Sequence, residues 1–360
     1  MTKPRKILQV TSYPPPRSGW GIRAQFVKRR LETEGHRCVV LNIGSSRKMP
    51  STEYETVLGA RDYVSKLWKY SSDGFIAHVH VNGASMKGLI LALVAEVINL
   101  LAGKRCFLTF HAGVEQIYFP REKSVLLRPA FWLTFAIPAR IICNSEAVRA
   151  KIEEYGISRS KICAIPAFSR QYLEFEPARL PDAMERFYAR FPCILFSYVN
   201  LRPLFHPVEL VEGFAKLAQS RPDVGLVLCG VSGYPEPDVL EAMSTRIAQR
   251  RLDDRICLVD DLDHDEFLTA LSRAAVYVRT HVSDGVCSSV LEALALRVPV
   301  VASANGHRPP GVVTYQATDP EDLRKVLEDT LSKRDAIAAA LPRPQVPDTV
   351  SVEVQMLVGA

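Results

Sequence analysis

Short apolar runs, most of them carrying β-branched residues, alternate with longer segments of mixed polarity along almost the whole chain. In the first half the runs fall at residues 7–11, 38–42, 75–81, 106–110, 141–143 and 162–165. Apolar runs this short, bounded by polar segments, predict buried strands. The intervening segments at 22–34, 87–101, 125–137 and 146–155 predict helices. From Ala167 to Pro192 the rhythm weakens and Pro177, Pro181 and Pro192 interrupt it, which marks a domain boundary. The rhythm then restarts, with strands expected at 194–199, 225–229, 255–259, 275–280, 298–302 and 312–315. Helices are expected at 208–220, 239–250, 265–274, 288–297 and 320–339. The alternation predicts an α/β fold of two doubly wound, Rossmann-like parallel-sheet domains facing a cleft, over residues 1–175 and 190–345. Such sheets bind ligands at the carboxyl ends of their strands, so chemistry is expected in the loops that follow them.

Composition adds bounds. At 360 residues the chain has room for two cores, and 23% charged against 48% hydrophobic residues places it with globular enzymes rather than disordered or fibrous chains. None of its eight cysteines forms a Cys-x-x-Cys pair, and most lie in apolar runs. That argues against a disulfide framework or a zinc site and points to a reducing compartment. The first apolar run is too short for a signal-peptide core. The longest, residues 88–103, is interrupted by Glu96 and Asn99 and falls short of a bilayer span, so a cytoplasmic protein is expected. The net charge of +6 is uneven: residues 1–180 hold 27 Lys and Arg against 14 Asp and Glu, leaving 18 against 25 in the remainder. A basic first domain suits peripheral contact with an anionic membrane surface or a lipid-linked phosphate; uneven surface charge without a partner explains it equally well. The basic residues are not striped with aromatics, which argues against nucleic acid.

The most informative stretch lies between the runs at 275–280 and 298–302. A loop carries Asp284 and Gly285; Ser288, Ser289 and Val290 then open a helix, and Glu292 is expected about two turns into it. A helix N-terminus that follows a strand presents unpaired N–H groups and positive dipole character to a phosphate. The acidic residue, seven intervening residues and a glutamate, followed by Ala293-Leu294-Ala295 and then Val298-Pro299-Val300-Val301-Ala302-Ser303, resemble the signature of retaining GT-B glycosyltransferases of the family 4 type. Gly230 with Gly233 after the run at 225–229, and the loop at 302–306, are similar to other parts of that family's second domain.

The resemblance implies transfer of a sugar from a nucleotide diphosphate sugar, in polysaccharide or glycolipid assembly, to a sugar or lipid-linked acceptor. It implies that Asp284 accepts hydrogen bonds from the transferred sugar and Glu292 from the nucleotide ribose, with no resident cofactor or metal. The N–H groups near Ser288, Ser289 and Val290 would hold the diphosphate beside Gly285 and Gly230. Gly19 and Gly21, in the loop after the first strand, would face the diphosphate and acceptor; serving only the turn into a helix is the competing explanation. Together with Ala24 these glycines also fit a dinucleotide fingerprint. That fit fails because three prolines separate them from the strand and no acidic residue ends the second strand. His111, at the end of the fourth strand beside Ala112 and Gly113, would contact the transferred sugar, whereas His78 and His80 read as sheet histidines.

One departure stands out. Where the family carries an Arg and then a Lys against the diphosphate, this chain has Asn200 and Phe205. Arg202 or His206 could stand in from a shifted loop, and Arg279 and Arg308 are further candidates. Asp261 and Asp263 have the spacing of a metal-binding pair but open a predicted helix, where capping explains them. The tail from Asp348 shows no long closing helix. The alternatives are a GT-B-fold protein that binds without transferring, a nucleotide-sugar epimerase, and, more distantly, a nicotinamide-dependent oxidoreductase.

Overall fold

The computed structural model describes residues 4–15, 17–114, 116–231, 236–282, 287–342 and 345–359. The chain forms two compact units, Met1–Gln171 with Pro347–Ala360, and Tyr172–Val346.

In the first unit the order is β1 (Lys6–Thr11), α1 (Gly19–Thr33), β2 (Arg37–Asn42), α2 (Ala60–Ser72), β3 (Ile76–Val81) and α3 (Met86–Leu101). It continues with β4 (Phe107–Phe110), α4 (Arg128–Ala136), β5 (Arg140–Cys143), α5 (Glu146–Glu153) and β6 (Ile162–Ala164). The strands form one parallel sheet in the order β2-β1-β3-β4-β5-β6. Alternation along the strands gives this sheet two different faces. Leu8, Val10, Ala77, Val79, Leu108 and Phe110 point into an apolar core shared with α2, α3, α4 and α5. The other face presents Gln9, Thr11, His78, His80 and Thr109, all buried. Gln9 donates to the Ala24 carbonyl of α1 at 3.0 Å, so this polar face is satisfied in part by the helix laid across it.

The second unit runs α6 (Asp182–Arg190), β7 (Cys193–Tyr198), α7 (Pro207–Ser220), β8 (Val224–Cys229), α8 (Pro237–Gln249), β9 (Ile256–Val259) and α9 (His264–Ser272). After these come β10 (Val276–Arg279), α10 (Ser288–Ala295), β11 (Val300–Ser303), β12 (Val312–Tyr315), α11 (Pro320–Ser332) and α12 (Arg334–Ala340). Its parallel sheet has the order β12-β11-β10-β7-β8-β9. Both faces are apolar, as expected of central parallel strands. Cys193 and Leu195 join a core with α7, α8 and α11, whereas Ile194 and Phe196 join one with α6, α9 and α10.

The expected pair of doubly wound sheets is therefore present, with three differences in the helices. α2 and α6 occupy segments where no helix was expected. The helix expected over 320–339 is two, broken at Lys333 (φ −109°, ψ 11°). The tail, expected to show no long closing helix, forms the eleven-residue α13 (Thr349–Gly359), which packs on α1 within the first unit. Asp263 caps α9 as expected: its carboxylate accepts from Glu266 N–H at 2.9 Å, and Glu266 reaches back to Asp263 N–H at 3.1 Å.

Candidate functional site

In an open α/β sheet, ligands gather where the strand order reverses, because neighbouring loops there diverge to opposite faces and leave a crevice. In the first unit that point lies between β1 and β3, and in the second between β7 and β10. Of the described candidates, Gly19 and Gly21 follow β1, Arg202 and His206 follow β7, and Ser288, Ser289 and Val290 follow β10, strands that flank these points, whereas His111 follows β4 and Gly230 follows β8, each one strand away.

In the first unit the β1–α1 loop ends at Ser18, whose Oγ accepts from Gly21 N–H at 3.2 Å and caps α1. A Cβ at Gly21 would lie 2.8 Å from that Oγ and 3.3 Å from Pro14 Cδ, so any larger residue would displace the cap. Gly21 is thus accounted for by the turn itself; Gly19 is the exposed first residue of the helix. Trp20, between them, packs edge-on against the His111 ring at 5.5 Å. This contact brings the β1 and β4 loops together.

His111 is the visible end of a buried polar chain. Its N–H donates to the Val81 carbonyl at 2.8 Å, and its Nε2 lies 2.8 Å from His80 Nδ1 with the rings stacked. The His80 ring is 4.2 Å from that of His78, whose Nε2 is 2.7 Å from Thr109 Oγ1 and 3.6 Å from Glu353 Oε1 on α13. Arg23 of α1 closes the chain: Nε donates to Glu353 Oε2 at 2.6 Å, and the two Nη atoms donate to Thr349 Oγ1 and O at 2.6 and 2.8 Å. Burial pushes the His78 and His111 pKa values down to about 3 and that of His80 well below its ordinary value, with Arg23 adding to each shift. All three imidazoles are therefore neutral near pH 7. His111 can exchange a hydrogen bond with a ligand but brings no positive charge. His80, read from sequence as an ordinary sheet histidine, in fact holds the inner nitrogen of His111.

In the second unit, β10 leads to the loop before α10. Asp284 and Gly285 lie outside the described residues. α10 begins at Ser288, and Leu291 N–H closes its first helical bond to the Cys287 carbonyl at 3.2 Å. Ser288, Ser289 and Val290 therefore supply the first-turn N–H groups, which no helical carbonyl can take. The Ser289 hydroxyl is positioned from below by Tyr277 of β10, whose Oη lies 2.7 Å from Ser289 Oγ. Glu292 is fully buried and stands about one turn into α10, not two, because only four residues separate it from the helix start at Ser288.

Across the switch point, the β7–α7 loop carries Asn200, exposed Arg202, half-buried Phe205 and His206. His206 adopts a left-handed conformation (φ 50°) at the N-cap of α7, with Nδ1 3.4 Å from Glu209 Oε1. The Phe205 carbonyl accepts from Thr280 Oγ1, and its ring lies 4.0 Å from that of His281. The two loops beside the switch point are thus tied together. Gly230 follows β8 at φ 90°, and a Cβ there would stand 2.9 Å from Tyr198 Cε2, so only glycine lets the β8 and β7 ends close up. Arg308 clamps the loops after β10 and β11 by donating to the carbonyls of Ser303 and His281. Arg279 is buried with Nη1 3.3 Å from the Tyr198 carbonyl. Arg202 is therefore the most accessible of the three arginines considered for the diphosphate. Among the described residues, no group of three or more His, Cys, Asp or Glu could hold a metal ion.

These two doubly wound parallel sheets, with their candidate residues at the strand-order reversals or one strand away, have the architecture of the GT-B class. Residues 192–338 match the family Glycosyl transferases group 1, and residues 19–168 match Glycosyltransferase Family 4. The chain belongs to this family of glycosyltransferases. It is 27% identical over 294 residues to glycosyltransferase 1 domain-containing protein 1 of Xenopus tropicalis, covering 79% of this chain and 74% of that one. Among solved structures it is similar to Anabaena Alr3699/HepE in complex with UDP-glucose, with a TM-score of 0.67, 15% identity and 98% of both chains covered. A glycosyltransferase from Rickettsia africae ESF-5 gives a TM-score of 0.65 at 14% identity, covering 99% of this chain and 98% of that one. At such identities the two structures speak for the fold.

Proposed function

We propose that the chain transfers a sugar from a nucleoside diphosphate sugar to a hydroxyl acceptor, with retention at the anomeric carbon. The observation that carries this reading is the position of α10: its first-turn donors and Glu292 follow β10 at the strand-order reversal of a family-matched unit. The first-turn N–H groups at Ser288, Ser289 and Val290 hold the diphosphate, with Arg202 and His206 supplying side-chain donors and Gly230 leaving room for it. Glu292 accepts hydrogen bonds from the ribose. Asp284, beside Gly285, accepts them from the hydroxyls of the transferred sugar, and neutral His111 with the Gly19–Gly21 turn serves the sugar and acceptor. In the reaction the acceptor oxygen bonds the anomeric carbon as its bond to the diphosphate breaks. The electron pair leaves with the diphosphate, and the acceptor proton passes to a departing phosphate oxygen on the same face. No resident metal or cofactor is called for. UDP, present with the HepE structure, is the first nucleotide to try, and a lipid-linked acceptor in polysaccharide or glycolipid assembly at the cytoplasmic face of a membrane suits the basic first unit.

A second reading, binding without transfer, rests on Asn200 and Phe205 at the positions where the family places its cations; the Phe205 ring is engaged with His281. Thermal-shift measurement with nucleoside diphosphates, on the wild type and Glu292→Ala, tests the donor site. Stabilisation by one of them that Glu292→Ala abolishes is the expected result. No response at saturating ligand rejects the donor site. Release of nucleoside diphosphate from the matching sugar donor separates transfer from inert binding.

A further inference from the structure

We propose that the outer faces of α2, α3 and α4, with the loop leading into α4, form a docking surface for a bilayer rich in anionic lipid. Of the seventeen large hydrophobic side chains exposed among the described residues, twelve lie on these elements. α2 packs on α3 and α3 on α4, so the elements make one continuous surface of the first unit.

The sequence of α3 dictates this face. The helix turns Leu89, Ala92, Ala95 and Ile98 inward, yet Met86, Ile90, Val97 and Leu101 recur at helical spacing on the opposite side and are 38–71% exposed. A helix whose outer side meets only water is polar there; here an apolar stripe runs about 24 Å along it. On α2, Val64 and Trp68 are one turn apart and half exposed. On α4, Trp132 and Leu133 face out, and in the loop before it Val125 and Leu126 are 61% and 92% exposed. Contiguous exposed apolar surface marks an interaction site.

Charge selects the occupant. Residues 86–136 contain six Lys and Arg against three Asp and Glu. Of the three acids, Glu96 is buried, Glu122 lies 3.4 Å from Lys151, and Glu115 lies outside the described residues. Lys87 opens α3, Lys104 and Arg105 follow it, and Arg121, Lys123 and Arg128 bracket Val125 and Leu126. Several of these cations donate to backbone carbonyls, which leaves their charge in place. A second copy related by two-fold symmetry would set cations against cations. Anionic headgroups complement them, while the apolar stripe and the two tryptophans enter the headgroup–acyl boundary. No described helix is long and apolar enough to cross a membrane, so the surface lies on the bilayer rather than through it.

The inference goes beyond the transferase reading and is tested without donor or acceptor. The full chain is sedimented with vesicles of phosphatidylcholine alone and of phosphatidylcholine with phosphatidylglycerol. Wild type, Leu126→Asp and a Lys123→Glu/Arg128→Glu double variant are compared, with light scattering reporting oligomeric state. The expected result is binding at least about tenfold stronger to the anionic vesicles, weakened by salt and reduced about tenfold in both variants. Equal recovery in the supernatant with either vesicle overturns the proposal. A dimer that Leu126→Asp dissociates, without vesicle binding, overturns it too and assigns the face to a second copy.

Discussion

Glu96 faces inward from α3 with no exposure, and neither carboxyl oxygen has a hydrogen-bond partner. Burial drives its pKa well above the ordinary carboxylate value, and the Lys161 ammonium opposes that shift without cancelling it. The cost reaches Lys161 as well, whose own pKa falls to about 8, chiefly by burial. Near neutral pH the unfolded chain ionises Glu96 and the folded chain does not, so the contribution of this residue to stability falls as pH rises above the unfolded value of about 4.5. Glu96→Leu is therefore expected to stabilise the protein by about 1–3 kcal/mol at pH 7 and by less at pH 4. Urea denaturation at the two pH values measures this. A variant less stable than wild type at pH 7 would show that the acid makes a bond that offsets its desolvation.

At the scale of elements, α13 is held to α1 by a buried ion pair whose two side chains are 4% and 1% exposed. Removing one partner strands the other charge, so Glu353→Leu alone should cost about 3–5 kcal/mol. Arg23→Met combined with Glu353→Leu should recover most of that loss, because an apolar pair avoids the desolvation of both ions. Urea midpoints of the two single variants and the double variant test the coupling, and simple additivity would refute it. The same helix shows where sequence reading stops. Val350, Val352 and Val354 alternate with polar residues and mimic a strand, while the buried set Val350, Glu353, Val354 and Leu357 has helical spacing. α2 was hidden differently: Tyr63, Leu67 and Tyr70 face the core, but Val64 and Trp68 spread apolar character to its outer side and blur the period. The strands were legible as short apolar-rich runs, apolar on both faces in the second unit and on one face in the first, and with them the loops that hold His111, Arg202, His206 and Ser288. The Arg23–Glu353–His78 contacts join residues hundreds of positions apart, and no local spacing announces such a link.

For the molecule as a whole, the first unit's histidines make its stability depend on acidity. His78, His80 and His111 fold neutral, with pKa values of about 3, well below normal and about 3, against roughly 6.5 when unfolded. Below that unfolded value the unfolded chain binds more protons, so stability is full above pH 6.5 and is lost as pH falls toward 3. The expected slope is about 1.4 kcal/mol per pH unit for each histidine. Denaturant midpoints between pH 7 and 5 read the three histidines less the single opposing slope of Glu96, so stability should still fall with pH, and a flat profile there would contradict the buried chain. The place of α13 has a further consequence, for the order of events during synthesis. A ribosome delivers the whole second unit, residues 172–346, before it makes the helix that belongs with the first. Until Glu353 emerges, Arg23 has no counter-ion for its buried position and the polar face of the first sheet lacks part of its cover. The first half of the chain to be made is thus the last to be completed, and a nascent chain halted before residue 349 should keep that face open to chaperones and proteases.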